Sequence, residues 1–138
     1  MSFREKSAWV MAFVLTIAGL YYLHIVRAAS HALGETAPPA VVIAFVIIIV
    51  VGSVVAQIIL ALSSPKEANA AADERERLVQ QRASSWSGVL LATGAVVSLG
   101  HFMIHADGNM LFHLIMASLI VAQIAEYGFQ ILLLRRSV

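Results

Sequence analysis

Cysteine is absent from the 138 residues, and charged side chains make up only 12% of them. Without a thiol, the chain forms no disulfide, no thiolate metal site and no cysteine nucleophile of its own. Its net charge is only +1 and its basic residues are scattered, so it lacks the basic surface typical of nucleic-acid-binding proteins. These absences argue against disulfide-stabilised, thiol-dependent and nucleic-acid-binding proteins.

Apolar residues dominate instead. They account for 60% of the chain, and the mean hydropathy is +0.86, which is too apolar for an ordinary soluble domain. Apolar runs of about 18 residues or more are long enough to cross a bilayer as helices. We therefore expect a single all-α domain over residues 1–138, a polytopic membrane protein with four transmembrane helices. The predicted spans are about residues 8–26, 39–62, 84–104 and 109–134, with a cytoplasmic loop over 63–83.

Local signals place the ends of these spans. The first apolar run has no small-residue cleavage pattern and is interpreted as a retained anchor. Pro39 suits a helix start, because the first N–H groups have no helical partner. Asn69 or Asp73 is expected to cap a short interfacial helix that runs into the third span. That span is rich in small residues such as Gly94 and Ser98, which predicts a central position in the bundle.

The basic residues predict the orientation. Eight of the nine lie in the N-terminal segment, the 63–83 loop or the C-terminus, and only Arg27 lies between the first two spans. By the positive-inside rule, both termini and the central loop are cytoplasmic. The expected location is a bacterial-type inner (cytoplasmic) membrane.

The two halves of the chain resemble each other. Residues 55–58 and 121–124 both read Val-Ala-Gln-Ile, and aligning Trp9 with Trp86 also pairs His24 with His101. Such a match predicts two parallel hairpin repeats about an axis along the membrane normal. Chance similarity among apolar residues is the alternative.

Glu126 is an ionisable residue inside the last span, where such residues mark functional sites by default. Two interpretations stay open: an interhelical hydrogen bond that only supports packing, or a proton or cation relay. The polar residues expected around it within the membrane are Gln123, Gln57, Gln130 and Tyr127.

All five histidines fall near the opposite, outer side. His101 and His105 are four residues apart and so share a helix face. Imidazole suits zinc and copper, and two histidines on facing helices can ligate a b-type haem. The alternative is that these are ordinary interfacial side chains. The candidate metal or haem ligands are His24, His31, His101, His105 and His113.

No nucleophile–base pair, phosphate-binding glycine loop or pair of acids is visible, so an enzyme is the less favoured class. Ser84, Ser85 and Ser87 lie on the predicted cytoplasmic side, away from every histidine.

The stretch Asp73-Glu74-Arg75, followed by Val79 and Ala83, resembles the D-E-R-x-x-x-φ-x-x-x-A signature of small prokaryotic four-span membrane proteins of unknown function. The resemblance implies a four-helix architecture and assigns no activity.

We therefore expect a non-enzymatic binding, sensing or accessory component, with a small transporter or channel, or a haem- or metal-binding redox protein, as alternatives. The expected partners are the lipid bilayer and either a second copy of the chain or a cytoplasmic protein. The surface expected to face that protein comprises Asp73, Glu74, Arg75, Arg77 and Arg82.

Overall fold

Four long α-helices make up the computed structural model, which describes residues 3–33, 39–63, 65 and 73–136. The helices are α1 (Phe3–Leu33), α2 (Pro39–Ser63), α3 (Glu74–His105) and α4 (Gly108–Arg136). Each is long and apolar enough to cross a membrane. The prediction of an all-α protein with four helices of membrane-spanning length is confirmed.

The helix ends agree with the sequence prediction for α2 and α4 to within two residues. The other two helices are longer than expected: α1 begins at Phe3 rather than residue 8, and α3 begins at Glu74 rather than residue 84. The predicted interfacial helix is therefore the first part of α3 itself. Polar residues continue a helix without a break when no proline or glycine interrupts them.

Side-chain and backbone caps define the ends of α3. Asp73 has extended backbone, and its carboxylate accepts a hydrogen bond from the Glu74 N–H at 2.8 Å, so Asp73 is the N-cap. Asn69, the other predicted cap, lies outside the described residues. At the far end Ala106 adopts a left-handed conformation with φ 52°, and its N–H donates to the Phe102 carbonyl. Only Ala106 and Asp107 separate α3 from α4, in agreement with the short interval between the predicted spans 84–104 and 109–134.

The helix with the most extensive contacts to its neighbours, and in this sense the central helix of the bundle, is α4. It packs against both α3 and α1, and α1 packs in turn against α2. The prediction that α3 is central is wrong, because among the described residues α3 has an extensive interface with α4 alone. Its small residues do not all face helices. A Cβ atom on Gly94 would lie 2.7 Å from the Ser118 Cβ of α4, whereas Gly88 and Gly100 face open space.

Small side chains fill the closest helix contacts, and large apolar ones cover the outside. Ala8, Ala83 and Ser98 are at most 2% exposed, while Phe13 is 67% and Met103 85% exposed. A soluble protein rarely exposes so much continuous apolar surface. Lipid tails, by contrast, solvate it well, and close packing of small residues then holds the helices together.

The predicted repeat has only partial counterparts in the packing. Thr16 and Thr93, which the alignment pairs, both donate to the carbonyl four residues earlier, at 2.7 and 2.9 Å. However, α2 and α3 share no interface comparable to that of α1 and α4, although a twofold axis would relate these two pairs. The repeat stays a prediction.

Candidate functional site

A polar cavity of about 310 Å³ lies at the end of the bundle where α1 and α3 begin and α2 and α4 end. Three helices contribute polar side chains to one part of its wall: Arg4 and Ser7 from α1, Gln57 from α2, and Glu76 and Gln80 from α3. The cavity is within the size range of small-molecule sites. It brings together residues that are far apart in the sequence.

The central helix α4 contributes Glu126, Tyr127 and Gln130 to the wall. Glu126 lies nine residues before Arg135, which is about 13 Å of helix. Four of the five predicted intramembrane polar residues therefore meet at this cavity, since Gln57 also lines it. The fifth, Gln123, is exposed on the bundle surface and is not part of the wall.

Glu126 accepts an interhelical hydrogen bond. The Ser87 hydroxyl of α3 lies 3.3 Å from Glu126 Oε2 and 3.0 Å from the Ser84 carbonyl oxygen, so its single proton serves one acceptor at a time. Ser87 is only 6% exposed. The bond that the packing interpretation requires is thus present. A carboxylate has about four acceptor positions, so one hydroxyl leaves most of them available.

A second interhelical link forms part of the cavity wall. The Ser7 hydroxyl donates to Gln57 Oε1 at 3.0 Å, and Gln57 Nε2 donates to Ser7 Oγ at 2.9 Å. This two-way contact joins α1 to α2 and fixes the orientation of the Gln57 amide. It therefore makes one side of the cavity a defined surface.

Some of the charged side chains around the cavity form ion pairs, and one does not. Arg4 and Glu76 form an ion pair at 2.8 Å, which cancels both charges locally. Nearby, but outside the cavity wall, Arg135 pairs with Glu5 at 3.0 Å and its guanidinium lies 5.5 Å from the centre of the Trp9 ring. Glu126 forms no ion pair within the part of the chain that the structure describes. Among the described charged residues of the cavity wall, Glu126 is therefore the one without a counter-ion.

Sequence reasoning missed Arg4, Ser7, Glu76 and Gln80 as cavity residues. They lie in the first turns of α1 and α3, where polar side chains are ordinary at a membrane surface. Nothing in their local sequence separates them from neighbours such as Lys6 or Gln81. Only the way the four helices converge selects them.

The residues predicted to face a partner protein have mixed environments. Asp73 caps α3, and Arg75 Nη2 donates to the Leu134 carbonyl at 3.1 Å, near the end of α4. The apolar positions of the same signature, Val79 and Ala83, are 7% and 0% exposed. Several residues of the signature therefore cap α3 or stabilise its packing against the rest of the bundle. Glu74, Arg77 and Arg82 are exposed.

The four histidines whose side chains the structure describes do not gather into one site. His101 and His105 stack with ring centroids 4.3 Å apart, and His105 Nδ1 bonds to the His101 carbonyl oxygen at 3.2 Å. His113 Nδ1 lies 2.8 Å from the Tyr22 hydroxyl of α1. His24 is exposed, on a helix whose extensive interfaces are with α4 and α2.

Metal and haem binding stay predictions. Residues 3–33, 39–63, 65 and 73–136 contain no group of three or more histidine, aspartate or glutamate side chains placed to hold a metal ion. The His101 Nδ1 atom is buried and has no hydrogen-bond partner among these residues. The side chain of His31 lies outside the described residues.

Comparison of the chain with known protein families, with curated proteins and with solved structures finds no match. The function must therefore be argued from the cavity itself.

Proposed function

We propose that the chain is a non-enzymatic component of the inner (cytoplasmic) membrane that binds a small polar ligand in its end cavity, as a sensing or accessory protein. The observation that carries this proposal is the convergence of polar side chains from all four helices on one cavity, with Glu126 at its inner end. Polar groups inside a membrane-spanning bundle are costly, so their concentration at one place favours a binding role.

The cavity is accessible from the cytoplasm in this proposal. Most basic residues lie at the end of the bundle that carries it, including Arg4, Arg75 and Arg135. The positive-inside rule then orients this end to the cytoplasm. A ligand enters past Gln80, which is exposed and belongs to the cavity wall.

Cysteine labelling tests the orientation. The chain has no native cysteine, so a single one can be placed at Ala71 or at Glu35. We expect an impermeant thiol reagent added to intact cells to label the cysteine at position 35 and not the one at position 71. Labelling only at position 71 would reverse the topology and place the cavity on the outer side.

Ligand-dependent stabilisation tests the binding role. The purified chain in detergent is heated with ethylammonium chloride, acetamide or sodium acetate, which represent a cation, a neutral amide and an anion. We expect at least one of them to raise the unfolding temperature of the wild type, and the Gln80→Trp variant, with a blocked entrance, to lose that rise. The proposal fails if neither these compounds nor a short-chain phosphatidylethanolamine stabilises the wild type, or if the variant responds equally.

A small transporter is the second candidate function, because the cavity reaches a carboxyl group within a membrane-spanning helix. As a proton relay, Glu126 must exchange its proton, so Glu126→Gln should abolish flux while leaving the fold intact. Proton flux into liposomes measures this directly. A wild type that moves no protons removes the relay.

A further inference from the structure

We infer that the cavity selects an ammonium group, carried by a small organic cation, with Glu126 as its counter-ion. This inference rests on the proposed binding function and adds the chemical class of the ligand. It follows from three features of the cavity wall: the distribution of charge, the kinds of side chain present and the volume.

The charge distribution favours a cation. The Arg4–Glu76 ion pair is internally neutral, so among the described lining residues an ionised Glu126 gives the cavity one uncompensated negative charge. Within the described residues the only hydrogen bond to that carboxylate comes from Ser87, at 3.3 Å. The Glu126 carboxylate would repel an anionic ligand, and the basic residue of the described wall, Arg4, is already paired with Glu76. A monocation would supply the counter-ion that the described residues do not.

The oxygen ligands of the described wall do not suit a calcium ion. Calcium takes six to eight oxygen ligands, usually including several carboxylates. Here the other carboxylate of the wall, Glu76, already binds Arg4, and Gln57 is engaged with Ser7. An ammonium group needs only a few acceptors, and one carboxylate with a neighbouring amide such as Gln130 provides them.

The remaining wall suits the carbon part of an organic cation. Tyr127 and Phe3 contribute aromatic rings, and Val79 and Leu134 contribute aliphatic groups. Aromatic rings attract ammonium groups through their quadrupole, and this attraction strengthens when water is excluded. With a volume of about 310 Å³, the cavity also exceeds the needs of a bare inorganic ion. An alkylammonium ion suits both the aromatic and aliphatic lining and the volume of the cavity.

The test compares ethylammonium chloride with sodium chloride, acetamide and sodium acetate at equal ionic strength. Unfolding of the full chain in detergent is followed by the fluorescence of Trp9 and Trp86. We expect a saturable rise in unfolding temperature with ethylammonium alone. Charge-assisted hydrogen bonds contribute about 1.5–3 kcal/mol, so Glu126→Gln should weaken the apparent affinity about tenfold or more.

A charge-matched control separates local recognition from general attraction of cations. Glu74 is exposed in the first turn of α3, at the same end of the bundle, and does not line the cavity. Glu74→Gln removes the same charge as Glu126→Gln, and we expect it to leave ethylammonium binding unchanged. Equal weakening by both variants, or none by Glu126→Gln, overturns the inference.

The result also separates this inference from the proposed function. If acetamide or acetate stabilises the wild type and Gln80→Trp abolishes that effect, the cavity binds a ligand but does not select ammonium groups. The ammonium group can belong to a free amine or to the ethanolamine head of a lipid. Stabilisation by ethylammonium assigns a free amine. Stabilisation only by short-chain phosphatidylethanolamine, lost in Glu126→Gln, assigns the lipid.

Discussion

The two hairpins of the bundle, α1–α2 and α3–α4, are held together in different ways. Backbones approach closely in α3–α4, where Gly94 faces Ser118 and Ser98 is 2% exposed. In α1–α2 the contact depends more on particular side chains: the Ser7–Gln57 pair near one end, and Tyr22 against Phe45, with ring centroids 5.2 Å apart, near the other. The interface between α1 and α2 is also smaller than the one between α3 and α4.

This difference shows what replaces the hydrophobic effect between membrane helices. Apolar side chains gain little by leaving lipid for protein, so burial alone does not join two helices. Both hairpins have a serine hydrogen bond and a ring contact between their helices, the ring contact of α3–α4 being Trp86 against Phe129 at 5.4 Å. Only α3–α4 adds the close packing of a glycine against a small residue, Gly94 against Ser118. A change at the glycine contact should therefore affect stability more than a change at a polar pair.

The largest effect is expected at the close approach of α3 and α4. In Gly94→Ala the new Cβ would lie 2.7 Å from the Ser118 Cβ, so the helices must separate. Overpacking of this kind typically costs about 1–3 kcal/mol. The unfolding temperature in detergent should fall clearly.

The matched control is Gly100→Ala in the same helix, where a Cβ meets nothing within 4 Å. It should leave the unfolding temperature unchanged or raise it slightly. Equal losses in both variants would show that glycine flexibility, rather than the close approach, matters at these positions.

The polar pairs should have an intermediate effect. Glu126→Leu removes the bond to Ser87, at a cost of about 0.6–2 kcal/mol in a membrane protein. Glu126→Gln keeps an acceptor and should be tolerated without ligand. Gln57→Leu removes the corresponding link of the first hairpin and should loosen α2 while leaving α3–α4 intact. Circular dichroism melting of the three variants measures the losses, and a large loss in Glu126→Gln would contradict the packing role.

The smallest effect is a gain at the turn between α3 and α4. Ala106 has φ 52°, a conformation that costs an ordinary L-residue about 1–2 kcal/mol. Glycine adopts it freely, so Ala106→Gly should raise the unfolding temperature by an amount equivalent to about 1 kcal/mol. Ala92→Gly, at an exposed position within α3, is the control and should bring no gain. A loss in Ala106→Gly would contradict the left-handed cap.

The serine hydrogen bonds of the two hairpins lie near, but not at, the positions that the predicted repeat aligns. The alignment pairs Ser7 with Ser84 and Gln57 with Gln123. In the structure the second hairpin makes its serine bond three residues further along both helices, between Ser87 and Glu126. Both hairpins thus use a serine to link their helices, at positions that differ by about one helical turn.

The sequence by itself determined the number of helices, because each long apolar run between polar segments can form only one spanning helix. It also determined several helix ends. Asp73 has a capping side chain before a run of good helix formers, and only a short turn fits between His105 and Asn109. These features depend on residues close together in the chain.

Only the tertiary structure decided which helix is central and which polar residues meet. Gln123 and Gln130 are seven residues apart and share one face of α4, yet Gln130 lines the cavity and Gln123 is exposed. Gln130 lies about 10 Å further along the helix axis than Gln123. The neighbouring helices cover this face of α4 at the level of Gln130 and leave it open at the level of Gln123. Apolar residues surround a membrane helix on every side, so its sequence pattern does not mark where its neighbours lie.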